Sequence, residues 1–286
     1  MWIYVNDRFV RKEEARISVF DHGFLYGDGI YETLRAYRGR IFMLRHHLAR
    51  LRRSAGLIGL DMPIVESDWP ALLQETLERN ALSDAYLRIT ISRGEGAIGL
   101  DPRLCPRPTV VIIGLPLQSY PPQLFQDGVS LTVVSVRRNL SSALSPQIKS
   151  LNFLNNILAK QEATQQGAFD GVMLNHQGHV TECTTSNILF AKDQCLCTPS
   201  VECGILDGIT REIVLLMAKE DKLPIDEGCY TTEMLQHADE IFLTNTTMEI
   251  MPVRRIDTQR IGQEIPGPIT RRLQELFRLN LPRFLE

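Results

Sequence analysis

The chain has 286 residues, 44% of them hydrophobic and 23% charged, with a formal net charge of −3. That length buries a sizeable core and suits two domains, and the small charge gives no electrostatic footprint for nucleic acid or an anionic membrane. Apolar runs such as 109–117 are far too short to span a bilayer, and residues 1–8 lack a basic stretch followed by an apolar one, so neither a membrane span nor a signal peptide is expected.

In chain order, residues 2–5 and 8–10 flank Asn6-Asp7 as a hairpin, and 18–29, rich in glycine and aspartate, reads as a loop. Residues 30–37 alternate as a strand, Arg38-Gly39 turns, and 41–43 starts the partner strand. Residues 44–56 form a basic amphipathic helix whose apolar stripe is Leu44, Leu48, Leu51 and Ala55; Arg50 lies beside that stripe and can point inward towards an anion. A second helix spans 68–80 with Asp68 as N-cap, and 85–93 is a strand. The run 94–99 fits GxGxxG, but Leu100-Asp101-Pro102 follows where a helix should open, so it is a loop and not a dinucleotide fingerprint.

A buried strand at 107–117 leads to Pro121-Pro122. The division expected is a small N-terminal domain at 1–115, a linker at 116–127 and a larger domain at 128–286. The second part reads as a strand at 129–136, a loop at 137–146, a helix at 152–166 stopped by Gly167, and strands at 171–174 and 180–191. A helix at 210–222, strands at 240–243 and 249–256 around a polar turn, and a closing helix at 268–279 complete it. Cysteines 105, 183, 195, 197, 203 and 229 include no CxxC pair, and no histidine spacing completes a metal site. Free thiols in a reducing cytoplasm are expected, with no metal.

Lys149 stands out. The chain has six lysines among 31 basic residues, and none lies between Lys12 and Lys149. It sits between an apolar strand and a helix, where an ammonium is costly unless paired or neutralised. A neutral amine there can form a Schiff base with an aldehyde, although a salt-bridged lysine is the simpler account of this stretch alone. A pyridoxal phosphate site needs such a lysine, a carboxylate for the pyridine nitrogen, an anion cup and a substrate wall. Glu182 alternates with Val180 and can face inward. Gly208-Ile209-Thr210-Arg211 opens a helix whose free N–H groups can bind an anion, or Thr210 simply caps it. Thr244-Asn245-Thr246-Thr247 completes the cup or is only a turn.

Seven separated motifs carry a family resemblance: Phe20-Asp21-His22-Gly23 with Tyr26-Gly27-Asp28-Gly29; His47-Leu48-Ala49-Arg50-Leu51; Ile148-Lys149-Ser150-Leu151-Asn152; Val180-Thr181-Glu182-Cys183 with Ser186-Asn187; Gly208-Ile209-Thr210-Arg211; Ala238-Asp239-Glu240; and Thr246-Thr247 before Pro252-Val253. Over nearly its whole length the chain resembles the fold type IV (class IV) pyridoxal-phosphate enzymes, which include branched-chain aminotransferases, D-amino-acid aminotransferases and aminodeoxychorismate lyases. The resemblance implies an α/β (α+β) two-domain fold with the site between the domains, working as a homodimer or higher homo-oligomer. It implies that Lys149 forms the Schiff base and shuttles the substrate proton, that Glu182 holds the pyridine nitrogen, and that Arg50, Ile209, Thr210 and Thr246 hold the phosphate.

For the substrate side the resemblance points to Tyr31, Tyr86, Arg88 and Thr247. Tyr86 and Arg88 match carboxylate-binding positions of the branched-chain branch, and the loop 93–103 is similar to that branch. Tyr31-Glu32-Thr33 departs from its Phe-Glu-Gly, Phe153 replaces a tyrosine, and 245–248 lacks its small Gly-Thr-Ala-Ala turn. The resulting expectation is a ping-pong transaminase passing nitrogen from a branched-chain L-amino acid to a 2-oxo acid such as 2-oxoglutarate. A D-amino-acid aminotransferase and a 4-amino-4-deoxychorismate lyase stand as alternatives.

Overall fold

The computed structural model describes all residues, 1–286, and its chain packs as two compact units. The first is Met1–Gln118 with Ile148–Asn152 and Arg283–Glu286; the second is Ser119–Gln147 with Phe153–Pro282.

The first unit is built on a six-stranded antiparallel sheet. Its strands are β1 (Trp2–Val5), β2 (Arg8–Arg11), β3 (Gly29–Tyr37), β4 (Arg40–Ile41), β5 (Ala85–Ser92) and β6 (Thr109–Pro116), in the order β2-β1-β6-β5-β3-β4. Arg38 and Gly39 between β3 and β4 both have positive φ, 50° and 81°, which matches the twist a tight hairpin needs. The residues 18–29, expected as a loop, contain a short helix, α1 (His22–Tyr26). Asp21 caps it by accepting from Gly23 N–H, and Gly27 at φ 71° ends it. This one-turn helix is too short to show a hydrophobic period.

Helix α2 (Leu44–Leu57) lays Leu44, Leu48, Leu51 and Ala55 on the sheet, where they join Ile30, Leu34, Ala36, Leu87, Ile89 and Ile91 in one core. Truncating Leu51, fully buried, costs about 2–5 kcal/mol by leaving a cavity. Helix α3 (Trp69–Arg79) has Asp68 at its N-cap position as expected, although that side chain makes no capping bond. The 94–99 run opens no helix; it is tethered to α1 by His22 N–H to the Gly94 carbonyl (2.9 Å) and by an Asp21–Glu95 bridge.

The second unit carries a nine-stranded mixed sheet. Its elements are α4 (Pro122–Asp127), β7 (Val129–Val133), α5 (Leu154–Gln165), β8 (Asp170–Leu174), β9 (Val180–Cys183), β10 (Asn187–Lys192), β11 (Cys195–Pro199), α6 (Ile209–Glu220), β12 (Ile225–Gly228), α7 (Thr232–Gln236), β13 (Glu240–Asn245), β14 (Glu249–Ile256), β15 (Gln259–Arg260) and α8 (Pro268–Asn280). The order is β12-β11-β10-β13-β14-β7-β8-β9, with β15 on β14. The single strand read at 180–191 is two, since Cys183 N–H bonds the Ser186 carbonyl and reverses the chain between β9 and β10. Helix α4 occupies part of the proline-rich stretch read as a linker, with Pro122 in its first turn. Strands β11 and β12 escaped the sequence reading: Cys195–Pro199 mixes polar and apolar residues and is buried by its neighbours, not by its own pattern.

Candidate active site

Strand β3 has two chemically different faces. Ile30, Glu32, Leu34 and Ala36 point into the core under α2, whereas Tyr31, Thr33 and Arg35 point the other way. The register pairs Tyr31 with Thr90, Thr33 with Arg88 and Arg35 with Tyr86, so β5 extends that second face with more polar side chains. The expected substrate residues Tyr31, Tyr86 and Arg88 therefore share one face of one sheet. Arg88 Nε donates to Thr90 Oγ1 (3.2 Å) and its guanidinium lies 4.1 Å from the Tyr31 ring centroid; it has no carboxylate partner.

Lys149 joins the same face. Its backbone runs beside the start of β3: Tyr31 N–H donates to the Lys149 carbonyl (2.9 Å), and Leu151 N–H to the Gly29 carbonyl (2.9 Å). A Cβ on Gly29 would meet Ile91 O at 2.6 Å and Leu151 Cδ1 at 2.7 Å, so only glycine admits this approach. Lys149 Nζ stands 4.5 Å over the Tyr31 ring, half-buried and without a carboxylate. A structural lysine in such a place has an ion-pair partner; this one has an aromatic face and an open amine.

On the core face, Arg50 points inward as its place beside the stripe of α2 suggested. The anion it meets is a protein carboxylate: Nε and Nη2 bind Glu32 Oε1 and Oε2 at 2.6 and 2.9 Å. His47 Nδ1 adds a third bond to Glu32 Oε2 at 2.8 Å. All three side chains are buried. Burial alone would raise the Glu32 pKa, but Arg50 and then His47 outweigh it and hold the carboxyl well below its usual range. Burial, assisted by the nearby Arg50 and Lys149 charges, lowers the His47 pKa against the pull of Glu32. His47 is therefore neutral with its proton on Nδ1, leaving a buried Nε2 that has no partner. Sequence reading missed Glu32 and His47 as site-supporting residues; the signal was a glutamate in phase with Ile30 and Leu34, on a strand face that otherwise buries only apolar groups.

In the second unit, Glu182 faces inward from β9, as the alternation implied. Arg138 Nη2 pairs with Oε1 at 2.7 Å, while Oε2 accepts from Leu206 N–H (3.0 Å) and Asn187 Nδ2 (3.2 Å). The cation that a buried carboxylate requires is thus supplied by Arg138, which sequence reading left in a loop. Arg138 in turn donates from Nη1 to Asn156 Oδ1 (3.0 Å), fixing its fork. The same Asn187 Nδ2 also reaches the Leu206 carbonyl at 2.9 Å, which ties the Glu182 carboxylate to the segment entering α6.

Helix α6 begins at Ile209 with Gly208 as N-cap and no side-chain cap. Thr210 does not cap the helix: its Oγ1 is buried and has no hydrogen-bond partner. The first-turn amides of Ile209 and Thr210 have no intrahelical acceptors, so this end of α6 concentrates unmet donors and positive dipole. Thr244, paired with Asn187 across β10 and β13, likewise has a buried Oγ1 without a partner. In the turn after β13, Asn245 Oδ1 accepts from Thr247 N–H, Thr247 Oγ1 and Met248 N–H, at 3.0, 3.1 and 2.8 Å. Thr247 is thereby held in the turn, and Thr246 is half-exposed beside it.

A Cβ on Gly208 would sit 1.8 Å from Asn187 Oδ1. Gly208→Ala must displace Asn187 and with it one bond to Glu182. Overpacking of this kind costs about 1–3 kcal/mol, so thermal melting should show a lower Tm, and equilibrium dialysis should show weaker pyridoxal phosphate binding.

An open amine in the first unit, with an inward-facing carboxylate and a helix start bearing an orphaned buried hydroxyl in the second, are the parts that pyridoxal phosphate needs, and the residues fit that group. The comparisons agree. The amino-transferase class IV family model matches residues 29–256. A Methanocaldococcus jannaschii protein assigned as a branched-chain-amino-acid aminotransferase is 44% identical over 278 residues, covering 97% of this chain and 96% of its own. A Bacillus licheniformis D-alanine aminotransferase is 36% identical over 280 residues, covering 96% and 95%. The solved Escherichia coli branched-chain amino acid aminotransferase superposes with a TM-score of 0.95 at 29% identity, covering 98% of this chain and 94% of its own. The protein is a pyridoxal-phosphate-dependent transaminase with the mixed α/β fold of type IV. Within that class it belongs to the class IV aminotransferases, the family its sequence motifs resemble.

Proposed function

We propose that the protein moves the amino group of a branched-chain L-amino acid to a 2-oxo acid, with 2-oxoglutarate as acceptor, in a ping-pong cycle. The observation that carries this reading is Lys149: a half-buried amine with no carboxylate, over Tyr31 and on the face that also bears Arg88, which has no carboxylate partner either. Pyridoxal phosphate, when bound, supplies the electron sink for the substrate's Cα–H bond. Lys149 Nζ takes that proton and returns it, Arg88 with Tyr86 receives the substrate carboxylate, and the Tyr31 ring orients both the Lys149 and Arg88 side chains. Glu182, oriented by Arg138, holds a proton on the pyridine nitrogen. Arg50, aligned by Glu32, acts on the phosphate with Thr246 and the amides of Ile209 and Thr210; Thr247 serves the substrate side. The reading includes a cytoplasmic homodimer or higher homo-oligomer; no helix is long and apolar enough to cross a membrane.

The test is a half-reaction panel on the yellow holoenzyme with L-leucine, D-alanine, L-glutamate and (R)-1-phenylethylamine added separately. L-leucine and L-glutamate should bleach the visible band. Bleaching by D-alanine without L-leucine would replace the branched-chain reading with a D-amino-acid one. Pyruvate release from aminodeoxychorismate without bleaching by any amino acid would replace it with the lyase.

Thr210→Val tests the phosphate end on its own. Removing a buried hydroxyl that has no partner should leave the Tm of the cofactor-free protein unchanged or higher. Loss of a donor to a charged group should weaken pyridoxal phosphate binding roughly tenfold or more in a fluorescence titration.

A further inference from the structure

Two cysteines that play no part in the site described above are placed side by side. The parallel pairing of β11 with β12 ends with Pro199 opposite Gly228, and Ser200 N–H donates to the Gly228 carbonyl at 3.0 Å. This register brings the turn Val201–Cys203 against the residue that follows β12. Cys203 Sγ and Cys229 Sγ stand 2.9 Å apart, less than about 1 Å beyond a disulfide bond of ~2.04 Å.

Their exposures are complementary. Cys229 is exposed and within reach of an oxidant, whereas Cys203 is 2% exposed and donates to the Gly228 carbonyl at 3.4 Å. Burial, then the neighbouring Cys229 thiol, pushes the Cys203 pKa up to about 11, so Cys203 is a protonated thiol at neutral pH and the exposed Cys229 is the one an oxidant meets first. The pair also sits at the root of a functional segment. The Cys203 carbonyl accepts from Asn175 Nδ2 at 3.2 Å, and three residues further on Leu206 N–H reaches Glu182.

We propose that Cys203 and Cys229 form a reversible intramolecular disulfide that staples the segment leading to α6 onto the end of β12. A low-molecular-weight disulfide of the glutathione class is the oxidant. The Cys229 thiolate attacks one of its sulfurs, forming a mixed disulfide and releasing one glutathione thiol. Cys203 Sγ then attacks Cys229 Sγ, breaking the mixed disulfide; the second glutathione leaves as a thiolate and takes up the proton that Cys203 loses. Two protein thiols are oxidised and one small disulfide is reduced to two thiols, so electrons and protons balance. The sulfurs are already close in the dithiol form, so closure requires little backbone movement. The bond spans 26 residues and restricts the unfolded chain.

The experiment treats holoenzyme with glutathione disulfide, blocks the remaining thiols and maps peptides by mass spectrometry. The expected product is a 203–229 cross-link lacking two hydrogens, reversed by dithiothreitol, with cysteines 105, 183, 195 and 197 still reduced. The cross-linked protein should melt roughly 5 °C or more above the reduced form. Cys229→Ser should abolish both the cross-link and the shift, with transaminase activity unchanged before oxidation. Cys203→Ser should stop at the mixed disulfide on Cys229, which shows that Cys203 is the resolving thiol. A wild-type protein that keeps both thiols, that stops at the mixed disulfide, or that links Cys203 or Cys229 to another cysteine would overturn the proposal. A cross-linked protein that melts no higher than the reduced one would overturn the staple.

Discussion

Lys149→Ala should purify as a folded, colourless protein whose transamination rate is lower on the order of 10⁴-fold or more, the upper end of what a placed acid–base group contributes. The fold should survive because the Lys149 side chain makes no hydrogen bond or ion pair; its contact is the Tyr31 ring, worth about 0.5–2 kcal/mol. Backbone bonds from Tyr31 N–H and to Ser54 Oγ hold the segment whatever the side chain. Three readouts check this together: the visible absorbance of bound cofactor, the circular dichroism of the fold, and borohydride reduction followed by peptide mapping. In the wild type the label should fall on the peptide containing Lys149. A label on Lys160 or Lys192, or a variant that retains activity, would remove the basis of the whole reading.

Glu32→Ala should strongly destabilise the first unit. It strips the buried Arg50 and His47 of the carboxylate they share, a loss of about 3–5 kcal/mol. Glu32→Gln keeps the shape but not the charge and should fall between. The pH dependence follows from the same cluster. The folded-state pKa of Glu32 is depressed, so its contribution is fully present above the unfolded value of 4.5 and is lost as pH falls below it. The His47 pKa is depressed from 6.5, so below that pH the unfolded chain gains a proton that the folded one refuses, and stability again falls with pH. Urea midpoints measured between about pH 7.5 and about pH 5.5 should therefore decline for the wild type. His47→Gln removes the titrating group and should flatten that decline; an unchanged slope would mean that His47 is charged in the fold.

Much of the site was legible because it obeys simple periods. The stripe of α2 placed Arg50 beside the core, the alternation of Val180 and Glu182 turned the carboxylate inward, and the scarcity of lysines singled out Lys149. What stayed hidden depends on tertiary pairing. Arg138 comes eleven residues before Lys149 in a stretch with no period, and only its contact with Glu182 marks it. Asn187 sits in a recognisable motif, yet its double role towards Glu182 and Leu206 follows from a chain reversal that alternation alone cannot reveal. Arg50 shows the limit from the other side: its inward direction was readable, but not its partner, because Glu32 lies on a different element. The segment Ile148–Asn152 likewise packs with residues more than a hundred positions earlier through a bridge to Ile30, a contact with no local signature.

The division of labour along β3 has a practical meaning for redesign. Even-numbered side chains from Ile30 to Ala36 are committed to holding a helix in place, and odd-numbered ones from Tyr31 to Arg35 are not. On the proposed reading, in which that second face meets the substrate, variation at Thr33 and Arg35 would retune the choice of substrate at little cost to folding. Inserting or deleting one residue in this strand would exchange the two sets, sending a carboxylate into open space and an arginine into the interior. The strand is a place to swap letters, never to change the length of the word.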